Sequence, residues 1–524
     1  MLGGMAGMVI AAPLAGVVLG RLFAARGRLW GPAAAFVAFA GASVVAVAVA
    51  SGGARSWELV TAGHSVVVGL QVDALSAALL PLITGVSAVV QVFARRYLYG
   101  DARTEYFYTA TALLTSASAA LVCASTLFTL AAAWTAAGIA LCLLLRMYSA
   151  LPQAQDGFRR TARAFLVGDA ALWAAAVIAS VMSGPVDLRA TAPVVADQPL
   201  ATVVALLVVL AAASRSAQIP FHRWLPATLA APTPVSALLH AGVVNAAAIL
   251  LFRLTGITTS APVAVYAVFG IGACTAVYAT VLMLTKPDIK GALAHSTMAQ
   301  MGFMVMTCGL GLFGAAVFHL ISHGMYKATL FLGSGAAVDQ HRRESQAARP
   351  SRLTRRATVA LLVFSGAVPV AILCGAAVLM STVIPNPELA AKSALLAFAW
   401  ATSAWACWAW LRPRPTVRRA LSAAVVMLAV LPVYLAALSA FNAVLQPPAG
   451  APGVSAWLLA PVLLALLAVA ALRRPTPRFA SVHALLYAWA LNNGHPRTAP
   501  PVRTTIAPRL LNPSMTRTPV EVPA

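Results

Sequence analysis

The ten residues FHLISHGMYK, Phe318–Lys327, place two histidines and a lysine inside a stretch otherwise apolar enough to cross a membrane. His319, His323 and Lys327 recur every fourth residue, so on a helix each stands ~40° round and ~6 Å above the last. An ionisable group near the bilayer centre costs ~2.5–3.5 kcal/mol on insertion scales, which makes each one a functional hypothesis. Imidazole titrates near neutrality, so a row of such groups on one stripe can hand a proton along. The plain alternative is a set of hydrogen bonds to neighbouring helices. Haem fits poorly, because axial histidines must face each other from different helices. Zinc fits poorly too, with no cysteine or carboxylate near in sequence.

The rest of the chain agrees with that setting. Of 524 residues, 61% are hydrophobic and 9% charged, with a mean hydropathy of +0.86. Soluble domains carry roughly 25% charged residues, so this is an all-α polytopic membrane protein. Stretches of ~20 apolar residues recur about fifteen times between residues 5 and 472, among them 199–219, 231–252 and 357–383. The first, near 5–22, lacks the basic lead of a signal peptide. The six cysteines stand singly in apolar segments, without CxxC spacing, and read as small core residues.

A net charge of +23 invites a nucleic-acid reading, but the placement of the charges argues against it. Thirty of the 36 Lys and Arg fall on one set of loops and the tail; Arg55, Arg189, Arg253 and Lys392 fall on the other. The positive-inside rule then puts the N-terminus outside and the C-terminus in the cytoplasm. Residues 52–71 alternate weakly and predict an external hairpin. The membrane domain is expected over 1–474. A Pro-rich cytoplasmic tail follows over 475–524, with a short surface helix from Phe479 to Leu491. Two central spans carry prolines, Pro220 and Pro369. Broken helices at matching places in two halves point to inverted repeats, with unwound backbone facing a polar cavity.

Few other ionisable groups lie within the spans. Arg215, five residues before Pro220, either snorkels to the cytoplasmic face or pairs where the helix unwinds. Asp169, in AFLVGDAALW, is the acid well inside a span, and an unpaired buried carboxylate is costly. It is the counter-ion expected for Arg215 or for Lys327. His240 ends APTPVSALLH and reads equally as a relay group or a helix–helix hydrogen bond. His295 lies within a span and Lys290 at a helix start, either in the path or at the headgroups. Nothing resembles a nucleotide fingerprint, a haem ligand pair or an iron–sulfur cysteine set, so no catalytic residue and no metal ligand is expected in this chain.

Three longer motifs carry a resemblance. SAQIPFHRWLPATLAAPTPVSALLHAGVVNAA (216–247), KPDIKGALAHSTMAQMGFM (286–304) and FHLISHGMYKATLFLGSG (318–335), with DALS at Asp73–Ser76, are similar to the NuoL-type antiporter-like membrane subunits of respiratory complex I. The matches run in order from about residue 57 to 337. The resemblance implies two inverted five-helix repeats with broken seventh and twelfth helices, near Pro220 and Pro369. It also implies that Asp169, Arg215, His240, Lys290, His319, His323 and Lys327 occupy the family's proton-channel positions.

Departures narrow the resemblance. Those complex I subunits carry a glutamate directly after a helix-five tryptophan, whereas AAAWTAAGIALCLLLRMY places Thr135 after Trp134. The helix-seven lysine is replaced by Arg215, which cannot be deprotonated. TVALLVFSGAVPVAILCGAAVLMSTV (358–383) has no Lys-Asp pair. LLHAGVVNAA and helix five are instead similar to the DabB-type membrane subunits of bacterial inorganic-carbon accumulation complexes. That resemblance implies a cation conductor, for H⁺ or Na⁺, in the bacterial inner membrane. It further implies a large zinc-binding, carbonic-anhydrase-like partner (DabA type) on the cytoplasmic face, which hydrates CO₂ to bicarbonate. The alternative is a proton-translocating subunit of a respiratory NADH-quinone oxidoreductase or multi-subunit Na⁺/H⁺ antiporter.

Overall fold

The computed structural model describes residues 2–23, 27–62, 65–189, 200–283, 285–286, 288–335, 353–383, 389–446, 453–472 and 480–494. Helices α1 (Leu2–Leu22) and α2 (Gly27–Gly52) lead to a hairpin of β1 (Arg55–Ala62) and β2 (Ser65–Val72). Its strands are antiparallel, with Arg55 opposite Val72 and Trp57 opposite Leu70, and the register is irregular around Val60. The weak alternation in sequence therefore does form the expected hairpin. It is bonded to the turn before α5: Thr126 Oγ1 donates to Val67 O at 2.7 Å and Gly69 N–H donates to Thr129 Oγ1 at 3.1 Å.

Then follow α3 (Ala74–Tyr97), α4 (Thr104–Val122), α5 (Leu127–Leu145), α6 (Pro152–Ser183) and α7 (Ala201–Arg215). Side-chain caps start several helices by satisfying orphan N–H groups. Asp73 and Ser76 form a reciprocal capping box at α3, and Asp288 accepts from Gly291 N–H at 2.6 Å at the start of the helix Ile289–Gly309. The core continues with α8 (Thr233–Ala241), α9 (Ala246–Arg253), α10 (Thr255–Thr259), α11 (Pro262–Met283), α12 (Ile289–Gly309) and α13 (Phe313–Leu332). Helices α11 and α12 meet through Gly272 and Gly302; a Cβ on Gly272 would lie 2.4 Å from Met306 N. Small residues let backbones approach in this way where lipid offers no hydrophobic drive. Last come α14 (Arg355–Val383), α15 (Leu389–Leu411), α16 (Val417–Leu445), α17 (Leu459–Leu472) and α18 (Ala480–Gly494). The short helix read from Phe479 to Leu491 is α18; residues 495–524 of the tail lie outside the described residues.

Among the described residues nine helical stretches are long and apolar enough to cross a membrane, Thr233–Arg253 (α8 to α9) counted as one, and Ala201–Arg215 and Ala456–Val469 are shorter apolar helices. Their outward faces carry exposed Leu166, Val181, Val378 and Leu421, as a lipid-facing surface would. Every residue of α8 is buried, so this helix lies at the centre.

The structure corrects the expected helix breaks at two places. The break near Pro220 is there: α7 ends at Arg215, Ala217 takes a positive φ of 51°, and short 3-10 turns, Phe221–Arg223 and Leu225–Ala230, lead to α8. The break expected at Pro369 is not. Helix α14 runs through it from Arg355 to Val383. Pro369 has no N–H to give the turn before it, but the Trp400 indole on α15 donates to Gly366 O in that turn at 2.9 Å. Pro369 withdraws the N–H that would serve Ser365 O; the indole bond to the next carbonyl, Gly366 O, ties this turn to a neighbouring helix without replacing that donor. Conversely, the stretch read as one span at 231–252 is interrupted. Gly242 leaves helical geometry (φ −118°, ψ −83°), a 3-10 turn spans Val243–Asn245, and α9 begins after it.

These two real breaks are laced together. Ser216, just past α7, donates its hydroxyl to Val244 O at 2.5 Å and accepts from Ala247 N–H at 3.1 Å. Asn245 donates to Ala241 O at 2.7 Å, and Gln218 donates to Ser216 O at 2.7 Å.

Candidate functional site

Arg215 occupies the broken end of α7 and is 1% exposed. Its guanidinium carbon lies 4.6 Å from the Trp134 ring centroid and 4.1 Å from that of Phe165, so two aromatic rings hold it. Its Nη2 donates to Asp169 Oδ1 on α6 at 2.6 Å. Room for the group comes from Gly138 on α5, where a Cβ would lie 2.8 Å from Nη1. Cation–π contact and a charge-assisted bond together fix a permanent positive charge inside the span. Of the two counter-ion pairings expected for Asp169, the structure makes the one with Arg215.

The opening triplet lies on α13 as one stripe. His323 and Lys327 are buried, and His319 is partly so. The rings of His319 and His323 are 5.9 Å apart and near parallel, at 21°. Both ring nitrogens of His323 and Nε2 of His319 are buried without a protein hydrogen-bond partner. Lys327 donates to Ser296 Oγ on α12, a partner the sequence reading missed because serine carries no charge to single it out. His240 is the penultimate residue of α8, two before the break at Gly242, and stacks on Phe331 at 4.2 Å. It lies within electrostatic reach of Lys327 and Lys290, as His323 does of His319, Lys327 and His240.

The structure therefore brings together His240, His323, Lys327 and, at its edge, His319. Lys290, at the start of α12, is within electrostatic reach of His240 but donates to Ala231 O at 3.2 Å. His295 Nδ1 is bonded to Gly291 O within its own helix, at 2.8 Å. The Arg215–Asp169 pair forms a separate centre. A cavity of about 70 Å³ adjoins it, lined by Trp134, Arg215, Thr115, Ser118, Gly242 and Asn245 among apolar groups of α3, α4 and α9. Among the described residues no three His, Cys, Asp or Glu side chains gather closely enough to hold a metal ion.

Two pairs outside the spans also escaped the sequence reading. Arg253, ending α9, binds the Asp73 carboxylate with both terminal nitrogens and donates to Val122 O at 2.6 Å. Burial alone would raise the pKa of Asp73, but the Arg253 charge and its hydrogen bonds outweigh it and hold the carboxyl below its ordinary value. At the opposite end of α3, Tyr148 donates to Asp101 Oδ2 at 2.6 Å, which likewise lowers the Asp101 pKa.

Against known proteins, the family profile described as NADH:quinone oxidoreductase/Mrp antiporter, transmembrane, matches residues 124–412. The chain belongs to this antiporter family. A second profile, complex I chain 5 N-terminus, matches residues 57–108. The antiporter-family relatives include the probable inorganic carbon transporter subunit DabB1 of Halothiobacillus neapolitanus, 40% identical over 52% of this chain and 50% of that protein. NADH-quinone oxidoreductase subunit L of Mycobacterium tuberculosis is 34% identical over 63% of this chain and 55% of that one. The chain thus spans about half the length of the curated relatives it matches. Among solved structures, a chain of the Mrp complex from Dietzia sp. superposes with a TM-score of 0.63 at 26% identity, covering 93% of this chain and 59% of that one. Family membership and the apolar helices make this antiporter-family chain a multi-pass membrane protein.

Proposed function

We propose that this chain is the proton-conducting membrane subunit of an energy-coupled inorganic-carbon uptake complex. It powers CO₂ hydration to bicarbonate on a large zinc-binding, carbonic-anhydrase-like partner at the cytoplasmic face. The observation that carries the reading is the buried cluster of His240, His323 and Lys327, with imidazole nitrogens that no protein group satisfies. Nitrogens rather than oxygens line it, which suits H⁺ over a hard cation such as Na⁺. The relatives named as inorganic carbon transporter subunits support the choice of complex. Arg215 supports it as well, since a charge that cannot be released serves as an electrostatic partner and not as a carrier.

In this reading protons enter from the outer side and reach Asp169 and the His319–His323–Lys327 stripe. Neutralising Asp169 frees the caged Arg215, and the change passes through Ser216 to both helix breaks and on to the partner. The fold would comprise about fifteen spans in two inverted five-helix repeats, needing ~20 apolar residues each. It would sit in the bacterial inner membrane, with the N-terminus outside and residues 475–524 as a cytoplasmic tail.

Mild-detergent affinity purification from the native host, with mass spectrometry and a zinc assay, tests this directly. One large zinc-containing companion, and rescue of a carbonic-anhydrase-deficient bacterium in ambient air that Lys327→Met abolishes, is the expected result. A set of membrane subunits with flavin or iron–sulfur proteins would instead identify a respiratory subunit. That second reading draws on the identity to subunit L, and Thr135 and Arg215 would then need explaining.

A further inference from the structure

The α3–α4 interface carries a polar run that the site above does not use. Thr84, Ser87 and Gln91 on α3, and Thr104, Tyr108, Thr111 and Thr115 on α4, recur at helical spacing and are all buried. The two faces meet: Ser87 Oγ and Thr115 Oγ1 lie 2.7 Å apart, and Gln91 Nε2 donates to Ser87 Oγ at 3.1 Å. The Tyr108 hydroxyl donates to Gln91 O at 3.4 Å. Thr111 Oγ1, on the same face between Tyr108 and Thr115, is buried without a protein partner.

The run has two distinct ends. Thr115 and Ser118 line the cavity that Arg215 and Trp134 also line. At the other end Thr104 Oγ1 donates to Leu98 O at 2.9 Å and to Asp101 O at 2.7 Å, beside the Asp101–Tyr148 pair. From Thr104 to Thr115 the helix rises ~16 Å, about half the hydrocarbon thickness. In the opposite direction the cavity reaches Val122, whose carbonyl is held by the Arg253–Asp73 pair. Polar groups thus lead away from the cavity on one side, and a bound ion pair stands at the other.

We propose that the α3–α4 seam is a proton access route joining the Arg215–Asp169 centre to the membrane face that bears Arg95, Arg96 and Arg103. The hydroxyls of Tyr108, Thr111, Thr115 and Ser87 carry the proton, and Gln91 orients Ser87. Ser87 and Thr115 pass it between their bonded oxygens. Thr111, which has no protein partner, and Tyr108, which donates to a backbone carbonyl, pass it through water drawn into the seam. Each oxygen gives one proton as it takes one, so one charge is displaced and no bond is lost. The inference rests on the reading of the chain as a proton conductor. Interhelical hydrogen bonds in membranes average ~0.6 kcal/mol, so glue alone gains little from so many hydroxyls, and it would not leave Thr111 unsatisfied.

The test is proton flux through the full chain with its co-purified partner in proteoliposomes, under an imposed pH gradient. Thr111→Val removes a hydroxyl that makes no bond in the fold. It should slow flux about tenfold, as an added barrier of one hydrogen bond would, with the thermal midpoint unchanged. Thr115→Val should slow it similarly and Thr115→Ser should restore it, which a packing defect would not explain. Wild-type flux in Thr111→Val and Thr115→Val, with Lys327→Met inactive, overturns the route and leaves the proposed function standing. If the unmodified protein moves no protons, the function falls and the route with it.

Discussion

Arg215 shows how much one side chain can be constrained by chemistry around it. A lysine there would keep a bond to Asp169 but lose the planar fork and the faces of Trp134 and Phe165. If the proposed function holds, Arg215→Lys should retain part of the air-growth rescue, and Arg215→Met should lose it. Arg253 offers a pH signature. Removing it as Arg253→Gln leaves Asp73 without its cation, at a cost toward the low end of the ~3–5 kcal/mol of a broken buried pair, since the carboxylate is 26% exposed. Because the folded pKa of Asp73 is depressed, its stabilisation is present above the ordinary value of 3.8 and is lost as pH falls below it. The difference in thermal midpoint between wild type and Arg253→Gln should be full near neutrality and shrink in that acid range; a constant difference would assign the loss to packing. The pair was not legible in the sequence, its members being 180 residues apart and each looking like an ordinary loop charge. Asp169 was legible because an acid inside a span must find a cation. Which of two cations it meets needed the fold.

Among the elements, the two prolines had the same local signal and opposite outcomes. Pro220 follows a helix whose last carbonyls are taken up by Trp224 and Gln218, so the chain turns there. Pro369 lies inside a helix that continues through it, its turn tied to α15 by the Trp400 indole. The donor sits 34 residues away, and linear spacing carries no sign of it. Trp400→Phe should cost about 0.6–1.7 kcal/mol, the range for such bonds in membranes. Thermal unfolding in detergent reads this cost, and an unchanged midpoint would refute it. The hairpin was readable from its alternation and the stripe of α13 from its spacing, both being local patterns. The break at Gly242 was hidden by an unbroken apolar run, since hydropathy does not register a change in ψ.

Across the whole molecule the charges separate by end. Arg55 lies on the hairpin, Arg189 donates to Ser56 Oγ at 2.7 Å, and Arg253 is bound at Asp73, so these three cations share one face. Arg95, Arg96, Arg103 and Arg146 lie at the other ends of the same helices. The positive-inside rule then predicts that a membrane-impermeant thiol reagent labels Ser56→Cys from outside intact cells and Arg103→Cys only in inverted vesicles. The reverse pattern would invert the whole orientation. One further consequence follows from the hydroxyl of Ser216, which is bonded to both Val244 and Ala247. It ties the end of α7 to the turn and helix that follow the Gly242 break, so Arg215 is held to the backbone just past α8. A cross-link between positions 216 and 247 would therefore fix the two helix breaks to each other, as a pin locks two hinges.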